Sequence, residues 1–280
     1  MTAASKVLAG AAVRQENDMQ FARLNGVTLH HQVIGASPDK PTIVFVNSLG
    51  TDFRIWRDVI VRLVGEYGLI TYDKRGHGLS DVGETCTMDD HVDDLAAVID
   101  HYEAKNVIVC GVSVGGMIAL GLSRKRPDLV RALILCDTAH KIGTSDMWAA
   151  RIAAVEEEGI TSISDTILER WFTQEFRSPD NPEFTGYRNM LERTPEEGYM
   201  ATCAAIGMTD YTDIAKTLTV PAICVVGRED GSTPPEIVGE MAKLIPGARY
   251  QEIPGAAHLP CIEKPVETSE IIRAFIAQLA

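Results

Sequence analysis

Seven short apolar runs, separated by amphipathic stretches, constrain the fold of this chain more than any other feature. They lie at residues 28–34 (TLHHQVI), 42–46 (TIVFV), 68–73 (GLITYD), 106–110 (NVIVC), 130–136 (VRALILC), 221–227 (PAICVVG) and 248–253 (ARYQEI). The central runs are continuously apolar and rich in Val and Ile, as parallel strands covered on both faces must be, whereas TLHHQVI is mixed and suits an outer strand. Between the runs lie helical patterns. RIWRDVIVRLVGEY follows TIVFV, and MDDHVDDLAAVIDHYEA puts Val92, Leu95, Val98 and Ile99 on one face behind Thr87 as N-cap, with Asp90 three residues on. Further helices are expected over 113–125, 234–244 and 265–279. This alternation gives a mostly parallel, doubly wound α/β sheet with right-handed crossovers.

One interval breaks the rhythm. Over residues 143–217 no good strand occurs, and four stretches punctuated by Gly and Pro read as helices: DMWAARIAAVEEEG, ITSISDTILERWFTQEF, PEFTGYRNMLERT and PEEGYMATCAAIG. A helical insertion between two strands is expected to form a lid over the carboxyl edge of the sheet, where such sheets place their sites. The division is therefore a core of residues 19–142 and 218–280, a lid of residues 143–217, and a mobile extension over residues 1–18. Met19 is an alternative start.

Composition excludes several partners. With 26 basic against 39 acidic residues the net charge is −13, which disfavours nucleic acid and anionic membrane. Six cysteines show neither C-x-x-C spacing nor the density of a disulfide scaffold, and Cys110, Cys136 and Cys224 fall in or at the end of apolar runs. Buried thiols of this kind suit a reducing cytoplasm.

The chemistry centres on GVSVGG, residues 111–116. GVSVG follows the strand NVIVC and precedes the helical run MIALGLSRK, so Ser113 occupies a sharp strand-to-helix turn, and side chains at 111 or 115 would collide with the neighbouring strand and helix. A helix N-terminus after the serine favours developing negative charge. A serine hydroxyl needs a base. Of the seven histidines, His258 lies after the last strand and before the last helix, the end of the chain order Ser, acid, His. His77, between glycines in DKRGHGLSD, reads as loop architecture, and His140 is placed to line the pocket. Two carboxylates compete as the acid: Asp230 in VVGREDGSTPP is favoured over Asp137 in LILCDTAH, because Gly227 and Gly231 frame a loop that can turn its carboxylate inward. The oxyanion donors are expected to be the N–H groups of Val114 and of Leu49 in NSLGTD. This set calls for no metal and no cofactor.

These residues resemble the α/β-hydrolase superfamily from about Phe21 to Ala280, and within it the 3-oxoadipate enol-lactone hydrolases of the β-ketoadipate pathway for aromatic breakdown. VNSLGTDFRIW, YDKRGHGLSD, GVSVGGMIALGL and above all LCDTAHKIGTSDMWAARIAAVEEEGI with the lid segment ERWFT carry the resemblance. Two positions depart from it: Asp137 is often asparagine in that family, and His140 often alanine. The resemblance implies an α/β-hydrolase fold, an acyl-enzyme mechanism and an anionic lactone as substrate. That substrate's carboxylate needs a local cation. Arg151, three residues beyond Trp148 in MWAARI, is the candidate, with Trp148 as an apolar wall; Lys141 and Arg54 are alternatives. Carboxylesterases, other lactonases and cofactor-free perhydrolases share the same frame, as does a non-enzymatic ligand-binding member. A homo-oligomer is left open.

Overall fold

A computed structural model describes residues 20–35, 39–84 and 86–279. The extension expected over residues 1–18, and with it the choice between Met1 and Met19, lies outside the described residues. Eight strands form one sheet in the order β1-β2-β4-β3-β5-β6-β7-β8. Their ranges are β1 Phe21–Leu24, β2 Val27–Ile34, β3 Thr42–Val46, β4 Gly68–Tyr72, β5 Val107–Val112, β6 Val130–Cys136, β7 Ala222–Gly227 and β8 Arg249–Ile253. From β4 through β8 every pairing is parallel, and β1 and β2 join antiparallel.

Burial follows the residue pattern. All residues of β4, β5 and β7 are buried, whereas β2 alternates along its first half and β8, at the edge, is mostly exposed. The mixed run expected to form an outer strand, β2, lies second from the edge. Outside it runs β1, which turns into β2 through Asn25 and Gly26, both at positive φ (46° and 81°). The Asn-Gly pair in RLNGV is the sequence signal of such a hairpin.

Helices cover both faces. α1 (Arg57–Leu63) follows β3, and α2 (Met88–His101) begins with the expected capping box, in which Thr87 Oγ1 accepts from Asp90 N–H at 3.1 Å and Asp90 accepts from Thr87 N–H at 2.8 Å. Its Val92, Leu95, Val98 and Ile99 are all buried. α3 (Val114–Lys125) follows β5 and is buried from Val114 to Leu122. Between β6 and β7 stand five helices: α4 (Ser145–Glu158), α5 (Thr161–Trp171), α6 (Pro182–Glu192), α7 (Glu196–Gly207) and the short α8 (Thr212–Lys216). The stretch 160–176, read as one helix, stops at Trp171. Glu263 accepts the Thr173 N–H at 3.0 Å and the Thr173 hydroxyl at 2.7 Å, and draws the chain out of the helix. α9 (Pro235–Leu244), α10 (Pro260–Glu263) and α11 (Pro265–Ile276) complete the chain. No helix of the described residues is long and apolar enough to cross a membrane.

The strand order reverses between β3 and β5, because β4 lies on one side of β3 and β5 on the other. Ligands of open α/β sheets bind in the crevice that such a reversal opens at the carboxyl ends of the strands. The loops carrying Leu49 and Ser113 leave β3 and β5 on either side of it.

Candidate active site

Ser113 stands between β5 and α3 with φ 58° and ψ −122°. A non-glycine residue held in such a region costs about 1–3 kcal/mol and persists only when its surroundings over-determine it. Here the Ser113 N–H donates to Cys136 O at 3.0 Å, and the Thr138 hydroxyl donates to Ser113 O at 2.6 Å. The neighbouring glycines let the elements close in: a Cβ on Gly111 would strike the backbone oxygen of Gly115, and one on Gly115 the backbone oxygen of Val46. The strained turn thus leaves the serine side chain on the wall of a cavity instead of in the sheet.

His258 reaches the same cavity from the loop between β8 and α10. Its Nδ1 lies 3.0 Å and 2.9 Å from the two carboxylate oxygens of Asp230. A carboxylate only accepts, so Nδ1 carries the proton and Nε2 is the basic nitrogen. Asp230 also accepts from Ser232 N–H at 2.7 Å, Thr233 N–H at 3.1 Å and Thr233 Oγ1 at 2.8 Å. Burial alone would raise the Asp230 carboxyl, but the adjacent His258 ring and these donors outweigh it and hold it below the ordinary carboxylate range.

Asp137, the competing acid, is also buried at this spot, at φ 46°. Its Oδ1 accepts from the Gly227 N–H at 2.8 Å, and the His258 hydrogen bond goes to Asp230. Burial, and next the charge of Asp230, push the Asp137 carboxyl far above its usual value. One carboxylate is therefore ionised and the other neutral, as two acids that close must be. Ligand atoms of Asp137, Asp230 and His258 lie within 4.8 Å of one another, the one grouping among the described residues dense enough to hold a metal ion. The His258 nitrogen that faces the carboxylates is, however, the one already bonded to Asp230.

The loop after β3 is held from beneath by the residues of DKRGHG. Lys74 Nζ donates to Ser48 O at 2.5 Å and Thr51 O at 3.3 Å, and His77 Nε2 accepts the Gly50 N–H at 3.0 Å. His77 Nδ1 must then be protonated and donate to Arg75 O, 3.2 Å away, which fits a buried ring held neutral by desolvation. Neither the Leu49 N–H nor the Val114 N–H has an acceptor among the described residues. Both remain available to a ligand oxygen.

The cavity holding Ser113 and His258 has a volume of about 220 Å³. Leu49, Trp148 and Arg151 line it as expected. Trp148 is fixed by an Nε1–H bond to Ile142 O at 2.6 Å, and the Arg151 guanidinium lies 4.9 Å from the Trp148 ring centre. His140 is not brought to this wall; its neighbours Ile142 and Gly143 are. The alternatives also lie elsewhere, with Lys141 paired to Asp210 at 3.1 Å and Arg54 to Asp52 at 2.5 Å. A second cation, Arg170, lines the cavity with Ile167 and Trp171 from α5. It sits in the ERWFT segment, and the three- and four-residue spacing from Ile167 was the signal that it shares their face. A wider crevice of about 730 Å³, lined among others by His30, Arg54 and Arg57, contains none of Ser113, Asp230 or His258.

A sharp serine turn and a histidine–carboxylate pair, at the carboxyl edge of a doubly wound sheet, define this protein structurally as an α/β hydrolase. The profile of the alpha/beta hydrolase family matches residues 43–271, and the chain belongs to that family. It is 31% identical to 3-oxoadipate enol-lactonase 1 of Acinetobacter baylyi over 263 residues, 94% of this chain and 98% of that protein. The crystal structure of the enol-lactonase from Burkholderia xenovorans LB400 superposes with a TM-score of 0.88 at 30% identity, over 92% of this chain and 99% of the other. A thermophilic esterase from Thermogutta terrifontis superposes with a TM-score of 0.86 at 26% identity, over 93% of this chain and 99% of that one.

Proposed function

We propose that this hydrolase opens 3-oxoadipate enol-lactone to 3-oxoadipate, through an acyl-enzyme on Ser113, in the breakdown of aromatic compounds. The observation that carries the reading is one cavity lined by Ser113, His258, Arg151 and Arg170. The likeness to two enol-lactonases over more than nine-tenths of the chain supports the choice of substrate.

In this reading the Ser113 hydroxyl attacks the lactone carbonyl while His258 Nε2 takes its proton. Asp230 keeps the ring oriented and stabilises the imidazolium. The tetrahedral oxyanion accepts from the Leu49 and Val114 N–H groups, each such donor being worth roughly 3 kcal/mol. Collapse breaks the ring C–O bond. The ring oxygen leaves as an enolate still tethered to the acyl chain, and the enolate takes a proton from His258 and becomes the ketone. Water, deprotonated by His258, then attacks the ester and frees the acid together with Ser113. Helices α4 to α7 act as a lid that supplies selectivity, with Arg151 or Arg170 on the substrate carboxylate.

A second reading, a broad carboxylesterase or perhydrolase on the same frame, draws on the likeness to the esterase. Spectrophotometric turnover of enzymatically generated enol-lactone beside 4-nitrophenyl acetate separates the two. Preferential turnover of the lactone, lost in Ser113→Ala, is the expected result; turnover of the ester alone would select the second reading.

A further inference from the structure

Lys74 is an unusual residue to find in the floor of this site. Its side chain is completely buried, and desolvation lowers its pKa to about 7 against the opposing charges of Asp73, Asp52 and Cys86. His77 and His91, the other titratable groups whose charge it affects, are themselves buried neutral rings. An ammonium is costly to bury, so its hydrogen bonds should be worth more than packing. They go to one place, the carbonyls of Ser48 and Thr51 in the loop after β3.

The consequence follows from peptide geometry. In a planar trans peptide the C=O and the N–H point in opposite directions. The carbonyl of Ser48 and the N–H of Leu49 belong to the same peptide unit, so a donor pulling on the oxygen from below aims that N–H upward, toward the cavity. Other donors of the loop are engaged: Gly50 N–H with His77 Nε2 at 3.0 Å, the Thr51 N–H and hydroxyl with Ser48 O at 3.3 Å and 2.9 Å, and the Asn47 side-chain amide with Thr51 O. The Leu49 N–H, on the far side of the peptide that Lys74 grips, has no acceptor among the described residues and is left for the reacting oxygen. A hydrogen bond to the carbonyl also polarises the peptide and makes its N–H a stronger donor, most of all where water is excluded.

We propose that Lys74 is a positioning residue of the oxyanion hole, which fixes and polarises the Ser48–Leu49 peptide so that the Leu49 N–H meets the developing negative charge. The inference rests on Ser113 being the nucleophile. Lys74 touches no substrate atom; its effect passes through one peptide group and falls on the transition state in preference to the bound ester.

The test compares the full chain with Lys74→Met and Lys74→Gln, the latter retaining a neutral N–H donor in case the methionine variant does not fold. With 4-nitrophenyl acetate, kcat is expected to fall about 10- to 100-fold in Lys74→Met, short of the loss of a direct donor, while KM moves less than about threefold. Affinity for phenylboronic acid, which forms a tetrahedral anionic adduct on the serine, should fall by a similar factor, and Lys74→Gln should lie between. A purely structural lysine would lower stability and leave kcat and boronate affinity of the folded fraction unchanged, which would overturn the proposal. Ser113→Ala is run in parallel. If it keeps its turnover, the nucleophile assignment fails; if it is inactive while the Lys74 variants match the parent protein, only the role of Lys74 fails.

Discussion

Replacing Asp137 by asparagine isolates a buried carboxyl whose protonation the structure determines. Asp137 is inaccessible to solvent, sits against Asp230 and is pushed well above the ordinary carboxylate value, first by burial and then by that neighbour's charge. The folded state therefore keeps a proton that the unfolded chain, titrating near 3.9, has already released. With more protons bound in the folded state, stability falls as pH rises, by about 1.4 kcal/mol per pH unit while the proton is retained. Asparagine has no proton to lose, yet keeps an oxygen to accept the Gly227 N–H, now at 2.8 Å, and presents an N–H toward Asp230. Urea denaturation of both proteins at pH 5, 6 and 7 should give a difference in favour of Asp137→Asn that grows as pH rises, with kcat changing only a few-fold. The buried histidines contribute equally to both chains and cancel. A difference independent of pH would mean that Asp137 is not protonated in the folded state, and a collapse of kcat would show that Asp137 and not Asp230 is the working acid.

Other outcomes follow from the same geometry. Arg151→Ala is expected to raise KM for the anionic lactone about tenfold or more, from the loss of a charge-assisted bond, and to leave 4-nitrophenyl acetate unaffected; equal effects on both would remove Arg151 from the carboxylate site. Gly115→Ala forces a Cβ onto the Val46 carbonyl and should destabilise the fold by about 3 kcal/mol or more in urea melts, because backbone cannot swing aside as a side chain can. His77 and His91 are held neutral, with burial lowering His91 to about 3. The unfolded chain takes up their protons below about pH 6.5, so their stabilisation is present above that value and lost as pH falls. Tm in the Asp137→Asn background should therefore drop between pH 7 and pH 5; a flat profile would contradict the neutral assignment.

Much of the frame was legible because its physics is local. A parallel strand buried on both faces must be continuously apolar, so β3 to β7 announce themselves, and the crowding at Gly111 and Gly115 is written into G-x-S-x-G. The acid was harder. Asp230 and Asp137 both follow strands in the right place, and only the Thr233 and Ser232 donors, together with the tilt of His258, distinguish the ionised carboxylate from the neutral one. β1 was missed because FARL carries no apolar run, although Asn25-Gly26 marks its turn. The lid walls depend on how five helices pack, which periodicity does not encode: Trp148 and Arg151, expected from their place in the lid, line the cavity, His140, expected from its place after β6, does not, and Arg170 was passed over. Lys74 was invisible for a different reason, since its partners are backbone carbonyls of a loop more than twenty residues away.

Formation of a covalent acyl intermediate on Ser113 can be followed by intact-protein mass spectrometry of an acid-quenched reaction with 4-nitrophenyl acetate. The expected result is a single acetyl adduct that peptide mapping places on Ser113 and that is absent from Ser113→Ala. Undiminished turnover by Ser113→Ala, or an adduct mapping to another residue, would contradict it.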